Sequence, residues 1–131
     1  MRVYLAGSLE SNWQDLVKRV EGPTYLDPRV HKDVTDPAIY VPLDMGMVAL
    51  ADIVVVYAEE ANKGLNRLIE LGYAVGLGKM VILIDEIGGI QMAQVMADEL
   101  FIGDDPLGHF MKWWEEFVGI GEKVWQRLSQ V

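Results

Sequence analysis

The 131-residue chain contains no cysteine. This absence excludes a disulfide framework, a thiolate metal site and a cysteine nucleophile. No apolar run reaches the roughly 18 residues that a membrane-spanning helix needs, and the N-terminus shows no signal-peptide pattern. We therefore expect a cytoplasmic protein that has no membrane partner.

Positive charge is also scarce, with 11 Lys and Arg against 20 Asp and Glu and a formal net charge of −9. A surface this negative repels polyphosphate backbones, and the chain has no Lys/Arg cluster of the kind that nucleic-acid binding depends on. The two histidines, His31 and His109, lie in no metal-binding spacing such as HExxH. We expect a small-molecule ligand, no nucleic-acid polymer, no metal and no other cofactor.

Apolar, β-branched runs alternate with helical patterns along the chain. Strands are predicted at 2–6, 23–28, 52–58, 80–85 and 100–103. Helices are predicted at 11–22, 40–52, around Glu70, near 90–98 and in the tail from 106, where an interruption is expected near Gly119 and Gly121. Hydrophobic residues make up 51% of the chain, which is enough to bury one core.

This alternation predicts an α/β fold in a single domain over residues 1–131. We expect a three-layer sandwich with a mainly parallel, flavodoxin- or Rossmann-like sheet of about five strands. Ligands of such sheets bind outside the carboxyl ends of the strands, at a switch in strand order. The loops after strands one, three and four are therefore predicted to carry the site.

Several polar residues follow the predicted strands. Gly7 and Ser8 form a strand-to-helix turn, whose free N–H groups suit an anionic or hydroxyl-rich ligand. A single glycine is not the GxGxxG fingerprint, and an ordinary tight turn explains it equally well. Arg29, in "DPRVHKD" after the second strand, fits a solvated loop better than a ligand site.

Two acids interrupt apolar helical patterns. Glu70 lies between Ile69 and Leu71 in "LNRLIELGYAVGLGKMVILID", and Asp44 lies on a helix that is otherwise apolar. Each acid either faces solvent or points into a pocket. The pattern alone leaves both alternatives open.

Five sequence blocks together resemble the nucleoside 2-deoxyribosyltransferase superfamily, which includes the 2′-deoxynucleoside 5′-monophosphate N-hydrolases. They are "VYLAGS" at 3–8, "NWQ" at 12–14, "LDPR" at 26–29, "LDMGMVALADIVVVY" at 43–57 and "IELGYAVGLGKMVIL" at 69–83. The resemblance implies an enzyme that cleaves the N-glycosidic bond of 2′-deoxynucleosides or their 5′-monophosphates and transfers the sugar to another base or to water. The alternative is a non-catalytic nucleotide-sensing module of the same fold.

The resemblance also implies roles for individual residues. Glu70 matches the catalytic nucleophile, Asp44 an acid that contacts the nucleobase or sugar, and Tyr4 a tyrosine that orients the nucleophile. The turn of Gly7 and Ser8 matches a loop that contacts phosphate in the monophosphate hydrolases.

The loop before Glu70 is about two residues longer than in well-studied members of the superfamily. Asn62 stands where those members place an Asp or Ser near the 5′ group of the substrate, and Gly64 follows in the same loop. We expect Asn62 and Gly64 to contact substrate. Arg29, together with Ser8, is expected to contact a 5′-phosphate.

The tail is rich in aromatic residues, with Phe110, Trp113, Trp114, Phe117 and Trp125 within 16 positions. An interface between copies is a natural place to bury so much aromatic surface, so we predict a homo-oligomer, a dimer or higher. The alternative is that this helix covers the sheet of its own chain.

Overall fold

Strands and helices alternate along the computed structural model, which describes residues 1–61 and 64–130. The strands are β1 (Arg2–Ala6), β2 (Thr24–Leu26), β3 (Ile53–Ala58), β4 (Met80–Asp85) and β5 (Glu99–Phe101). The helices are α1 (Trp13–Lys18), α2 (Pro37–Leu50), α3 (Asn66–Gly76), α4 (Gln91–Met96) and α5 (Pro106–Ser129), with a 3-10 turn at Pro28–His31.

The five strands form one parallel sheet in the order β2-β1-β3-β4-β5. The central strand β3 is buried along its whole length, and its Val55 pairs with Leu5 of β1 and Ile82 of β4. Strands covered on both faces carry apolar residues at every position, which explains the unbroken β-branched run in β3. The predicted α/β fold with a five-stranded sheet is confirmed.

Helices cover both faces of the sheet. On one face, α1 and α5 contribute Trp13, Phe110 and Trp114 to a core with Leu5 and Val55. On the other face, helices α2, α3 and α4 pack against the alternate strand residues, with Val48, Leu71, Ala74 and Ala93 meeting Tyr4, Val54 and Leu83. Tyr4 therefore points toward α2 and α3, on the opposite face from its neighbours Val3 and Leu5.

Two helices begin at residues other than those predicted. Helix α1 begins at Trp13 instead of Ser11, since Asn12 adopts a left-handed conformation with φ of 59°. Helix α2 begins at Pro37 instead of residue 40, because the Asp36 side chain accepts a hydrogen bond from the N–H of Ala38. Proline suits the first helical position, whose N–H would have no helical partner in any case.

Helix α5 runs without a break from Pro106 to Ser129, so the predicted interruption near Gly119 and Gly121 is wrong. The helix tolerates both glycines because its apolar stripe packs on the sheet through Phe110 and Trp114. Within the described chain, no helix is both long and apolar enough to cross a membrane.

Candidate active site

A cavity of about 550 Å³ opens at the carboxyl ends of β1 and β3. The chain turns from β1 to β2 on one side and places β3 on the other, so the strand order reverses beside β1 and leaves a crevice there. The walls come from the loop after β1, the segment 28–34 after β2, helix α2, and the start of α3. The predicted loops after β1 and β3 thus line the cavity together with the segment after β2, and the lining includes no described residue of the loop after β4.

Glu70 and Tyr4 meet inside this cavity. Glu70 lies on the inner face of α3 with Leu71 and Ala74, and it is only 9% exposed. The hydroxyl of the buried Tyr4 donates a hydrogen bond to the Glu70 carboxylate. Glu70 is therefore not a solvent-facing helix residue, since the sheet side of α3 carries it into the cavity.

Burial raises the pKa of Glu70 to about 7, with the hydrogen bond from Tyr4 lowering it and the charge of Asp44 raising it further. Burial, together with the adjacent Glu70 charge, also raises the pKa of Tyr4, which therefore stays a protonated donor. Near neutral pH the Glu70 carboxyl exchanges readily between its charged and neutral forms. A group of this kind in a cleft is suited to nucleophilic or acid–base chemistry.

Asp44 faces the same cavity from α2, where its carboxylate contacts Nε2 of His31. Both side chains are partly buried, and the Asp44 charge reaches Tyr4 as well as Glu70. His31 was not predicted from the sequence as a site residue. The signal for it was weak, because the 3-10 turn that brings His31 to α2 is not evident in the pattern "DPRVHKD".

Arg29 does not line the cavity. Its guanidinium donates to Asp15 at 2.6 Å and to Asp27 at 2.7 Å, and these two carboxylates hold the pKa of Arg29 above its ordinary value. The charge of Arg29 is thus offset by Asp15 and Asp27. The expected phosphate contact of Arg29 stays a prediction.

The turn after β1 lies on the cavity wall as predicted. A Cβ on Gly7 would come within 2.8 Å of Nε1 of Trp13, so only glycine fits above that indole ring. Ser8 is buried, and its carbonyl accepts a 2.8 Å hydrogen bond from the Gln14 side chain, which fixes the turn. Gly64 lines the cavity from the opposite side, and the predicted contact residue Asn62 lies outside the described residues.

Two cationic side chains that the sequence analysis did not propose also line the cavity. They are Lys32, beside His31, and Arg67, which is 5% exposed and lies on the first turn of α3. Arg67 precedes Glu70 by three residues, and residues at this spacing share one helix face. That spacing was the signal by which Arg67 could have been found. No cluster of three or more metal-ligating side chains occurs in residues 1–61 and 64–130.

The cavity thus combines two carboxylates, Glu70 and Asp44, with the Tyr4 donor. Paired carboxyl groups are the groups that glycoside hydrolysis commonly uses. The fold and the cavity together define an α/β domain with a pair of acids at the switch in strand order.

Residues 1–87 match the family described as nucleoside 2-deoxyribosyltransferase like. This match covers about two-thirds of the 131 residues, and the chain belongs to this family. No curated protein matches the chain at a significant level.

Solved structures share the fold. A 2-deoxyribosyltransferase from Bacillus psychrosaccharolyticus is 23% identical, with a TM-score of 0.62 over 81% of this chain and 88% of that one. A CMP N-glycosidase from Clostridium botulinum is 15% identical, with a TM-score of 0.63 over 86% and 96%. A conserved protein from Enterococcus faecalis V583 is also 15% identical, with a TM-score of 0.57 over 97% and 98%.

Proposed function

We propose that the protein cleaves the N-glycosidic bond of a 2′-deoxynucleoside or its 5′-monophosphate, with Glu70 as the nucleophile. The observation that carries this proposal is the buried Glu70 carboxylate, which faces the cavity, accepts a hydrogen bond from Tyr4 and lies within the field of Asp44. Family membership and the named activities of two structural relatives support it.

In the first step a Glu70 oxygen attacks C1′ while the bond from C1′ to the base nitrogen breaks. The bonding electrons leave with the base, and positive charge develops on the sugar ring in the transition state. The Glu70 carboxylate stabilises that charge and forms a glycosyl ester with C1′. In the second step a water molecule or a second base attacks C1′ and releases Glu70.

Asp44 and His31 act on the base side of the bond. The leaving nitrogen gains negative charge, which a protonated acid neutralises by donating a proton. The contact between Asp44 and Nε2 of His31 allows the two side chains to share such a proton. Tyr4 holds one oxygen of Glu70 and thereby fixes the rotamer from which the other oxygen attacks.

Mass spectrometry can test the covalent step. The protein is incubated with a panel of 2′-deoxynucleosides and their monophosphates, and free base is measured by chromatography. A slow 2′-fluoro-2′-deoxy substrate should then add one sugar mass to the peptide that contains Glu70. A label on another residue would remove Glu70 from the nucleophile role.

The longer loop between β3 and α3 favours a second candidate, a nucleotide-sensing module that keeps the fold but does not turn over substrate. The same panel separates the two candidates. Binding of a nucleotide without release of base would establish the sensing function, whereas release of base establishes the enzyme. Adding a second free base then distinguishes transfer from hydrolysis by the appearance of a new nucleoside.

A further inference from the structure

Arg29 lies at the centre of an ion-pair network behind the cavity wall. Its guanidinium donates to both carboxylate oxygens of Asp15, at 2.6 and 3.2 Å, and to Asp27 at 2.7 Å. Another of its N–H groups donates to the side-chain oxygen of Asn12 at 3.2 Å. Only 15% of the Arg29 side chain and 4% of the Asp27 side chain are exposed, so salt screens the contact between these two side chains only weakly.

The acceptors of Arg29 belong to different elements. Asn12 and Asp15 lie at the start of α1, whereas Asp27 precedes the 3-10 turn and caps it by accepting a hydrogen bond from the N–H of Arg29. Since Arg29 lies on the turn, its side chain ties the turn to α1. The same end of α1 also holds the loop after β1, through the hydrogen bond of the Gln14 side chain.

The 3-10 turn depends on such side-chain contacts for its orientation. It spans only four residues, Pro28–His31, and hydrogen bonds in a 3-10 helix have poorer geometry than those in an α-helix. With about three residues in each turn, Arg29 and His31 point to different sides. Arg29 faces α1, whereas His31 faces α2 and contacts the Asp44 carboxylate. A movement of the turn would therefore displace His31 from Asp44.

From this arrangement we infer that Arg29 is a positioning residue, which holds His31 in contact with Asp44 by fixing the 3-10 turn to α1. The inference rests on the proposed function, in which Asp44 and His31 share the proton that the leaving base takes up. Arg29 itself does not line the cavity. Its loss should therefore slow the chemical step through His31 and leave substrate binding nearly unchanged.

A direct contact with a 5′-phosphate is the competing role for Arg29. The two roles differ in what they predict for Asp15, which is 62% exposed and does not line the cavity. If Arg29 binds phosphate, removal of the Asp15 charge makes the guanidinium more available and should strengthen monophosphate binding. If Arg29 positions the turn, the same removal weakens the network and should slow the reaction of nucleosides and monophosphates alike.

Steady-state kinetics with a 2′-deoxynucleoside, which carries no phosphate, tests the inference. Arg29→Gln and Asp15→Ala should each lower kcat by about 10- to 100-fold, the effect of displacing a catalytic group by about 1 Å. KM should change by less than about threefold, since neither residue touches substrate. Arg29→Lys keeps the charge but not the planar fork of donors, so its kcat should be intermediate.

Arg19→Gln is the matched control, because Arg19 is exposed at the other end of α1 and should not affect kcat. Thermal unfolding establishes that each variant is folded, and the exposed Asp15 decides the question if Arg29→Gln is not. Wild-type kcat in a folded Arg29→Gln or Asp15→Ala variant would overturn the inference. So would a loss that affects monophosphates only.

A double-mutant cycle shows whether Arg29 acts through His31. Once His31 is replaced by Ala, Arg29→Gln should lower kcat no further, because the effects of residues that act as a unit are not additive. A merely structural role of Arg29 would lower the stability in both backgrounds, and the two effects on kcat would then add. Additive effects would therefore contradict the assignment.

Proton NMR gives a readout that does not depend on turnover. The chain has two histidines, and the exposed His109 on α5 serves as an internal reference for His31. In Arg29→Gln and Asp15→Ala, the imidazole signals of His31 should move toward their positions in Asp44→Ala, which removes the contact outright. The His109 signals should stay in place. Unshifted His31 signals in both variants would overturn the inference.

These outcomes also separate the inference from the proposed function. A wild-type protein that releases no base, but whose His31 signals respond to the Arg29 and Asp15 substitutions, retains the positioning of His31 and loses the glycosidase proposal. A wild-type protein that releases base with a kcat independent of Arg29 retains the glycosidase proposal and loses the positioning role.

Discussion

At the scale of single residues, the proposed mechanism depends most on Glu70. A carboxylate placed against a developing oxocarbenium ion contributes both a covalent bond and a charge, and Gln supplies neither. We expect Glu70→Gln to lower kcat by at least about 10²–10³-fold, the effect of one lost electrostatic contact in an active site. Steady-state kinetics with free-base detection would measure it. The exposed Glu116 offers a matched control, since Glu116→Gln should leave kcat unchanged.

Burial of Glu70 also makes stability depend on pH. Its pKa rises from 4.5 to about 7 on folding, so the native state binds more protons than the unfolded state between these values. The contribution of the Glu70 shift to the free energy of unfolding is fully present below about pH 4.5 and is lost as the pH rises through 7. The loss is roughly 3 kcal/mol. Gln has no charge to bury. Glu70→Gln should therefore unfold at a temperature several degrees above wild type at pH 8, and close to wild type at pH 5.

Calorimetry at the two pH values would check this expectation. A stabilisation of equal size at pH 5 and pH 8 would show that ionisation of Glu70 is not its cause. Glu116→Gln again serves as the control, because an exposed glutamate should give no pH-dependent difference.

The hydrogen bond from Tyr4 should be visible in the pH profile of activity. In the proposed mechanism only the ionised Glu70 attacks, so kcat/KM should rise with pH through a midpoint near 7. Tyr4 lowers the pKa of Glu70, and its loss in Tyr4→Phe should move that midpoint to higher pH. The measurement is kcat/KM from pH 5 to 9. Tyr25→Phe, on the opposite face of the sheet, should leave the midpoint in place, and an unshifted Tyr4→Phe profile would contradict the proposed contact.

At the scale of whole elements, the two glycines of α5 provide a quantitative test of its continuity. Neither Gly119 nor Gly121 has a positive φ, and a Cβ added to either one meets no atom within 4 Å. Replacing both by Ala should stabilise the protein by about 0.4–1 kcal/mol each, because Ala loses less backbone freedom on folding. Urea unfolding would measure the change.

Gly22 is the contrasting control for these substitutions. It has φ of +124°, and a Cβ there would lie 2.6 Å from the Glu122 carboxylate, so Gly22→Ala should destabilise the protein. Destabilisation by the Gly119 and Gly121 substitutions would indicate that α5 is broken in solution, as the sequence first suggested.

The elements differ in how far they could be predicted from the sequence. Strands β3 and β4 were located to within one residue, because strands buried on both faces show continuous apolar runs. The first residues of α1 and α2 were not predicted correctly. They depend on the left-handed conformation of Asn12 and on capping by Asp36, and hydrophobic periodicity does not report either feature. An interruption of α5 was predicted at its glycines because glycine has a low helix propensity. Tertiary packing outweighs that propensity, and the local sequence does not show it.

Some residues in the cavity wall were likewise predicted from the sequence, and others were not. The resemblance pointed to Glu70 and Asp44, whereas the residues alone left both of them open. The ion pairs of Arg29 with Asp15 and Asp27 could not be predicted, because a sequence shows a charge but not its neighbours in the fold. His31 was not predicted because only the assembled fold places it in the cavity wall, whereas the three-residue spacing from Glu70 could have indicated Arg67.

At the scale of the whole molecule, the tail aromatics divide into two groups. Phe110 and Trp114 are fully buried on the protein's own sheet, so α5 covers its own domain as the alternative expectation stated. The end of the helix is different, because Trp125 is 70% exposed there. Ile120, Val124 and Leu128 are exposed as well. Helix α3 carries another exposed apolar stripe beside the cavity, formed by Leu65, Ile69, Tyr73 and Leu77.

Two exposed apolar stripes on a protein of 14.7 kDa favour association of copies, and a homo-oligomer stays our prediction. The α3 stripe is the better candidate interface, because it continues onto Val41 of α2 across a small groove next to Glu70. Light scattering at micromolar concentration should give about twice the monomer mass or more for wild type. Ile69→Glu should reduce that mass toward 14.7 kDa, since a buried unpaired charge opposes an apolar interface. Trp125→Glu is the matched variant on the other stripe, and dissociation by it alone would place the interface on α5. A monomeric wild type would contradict the oligomer altogether and leave each cavity to function within one chain.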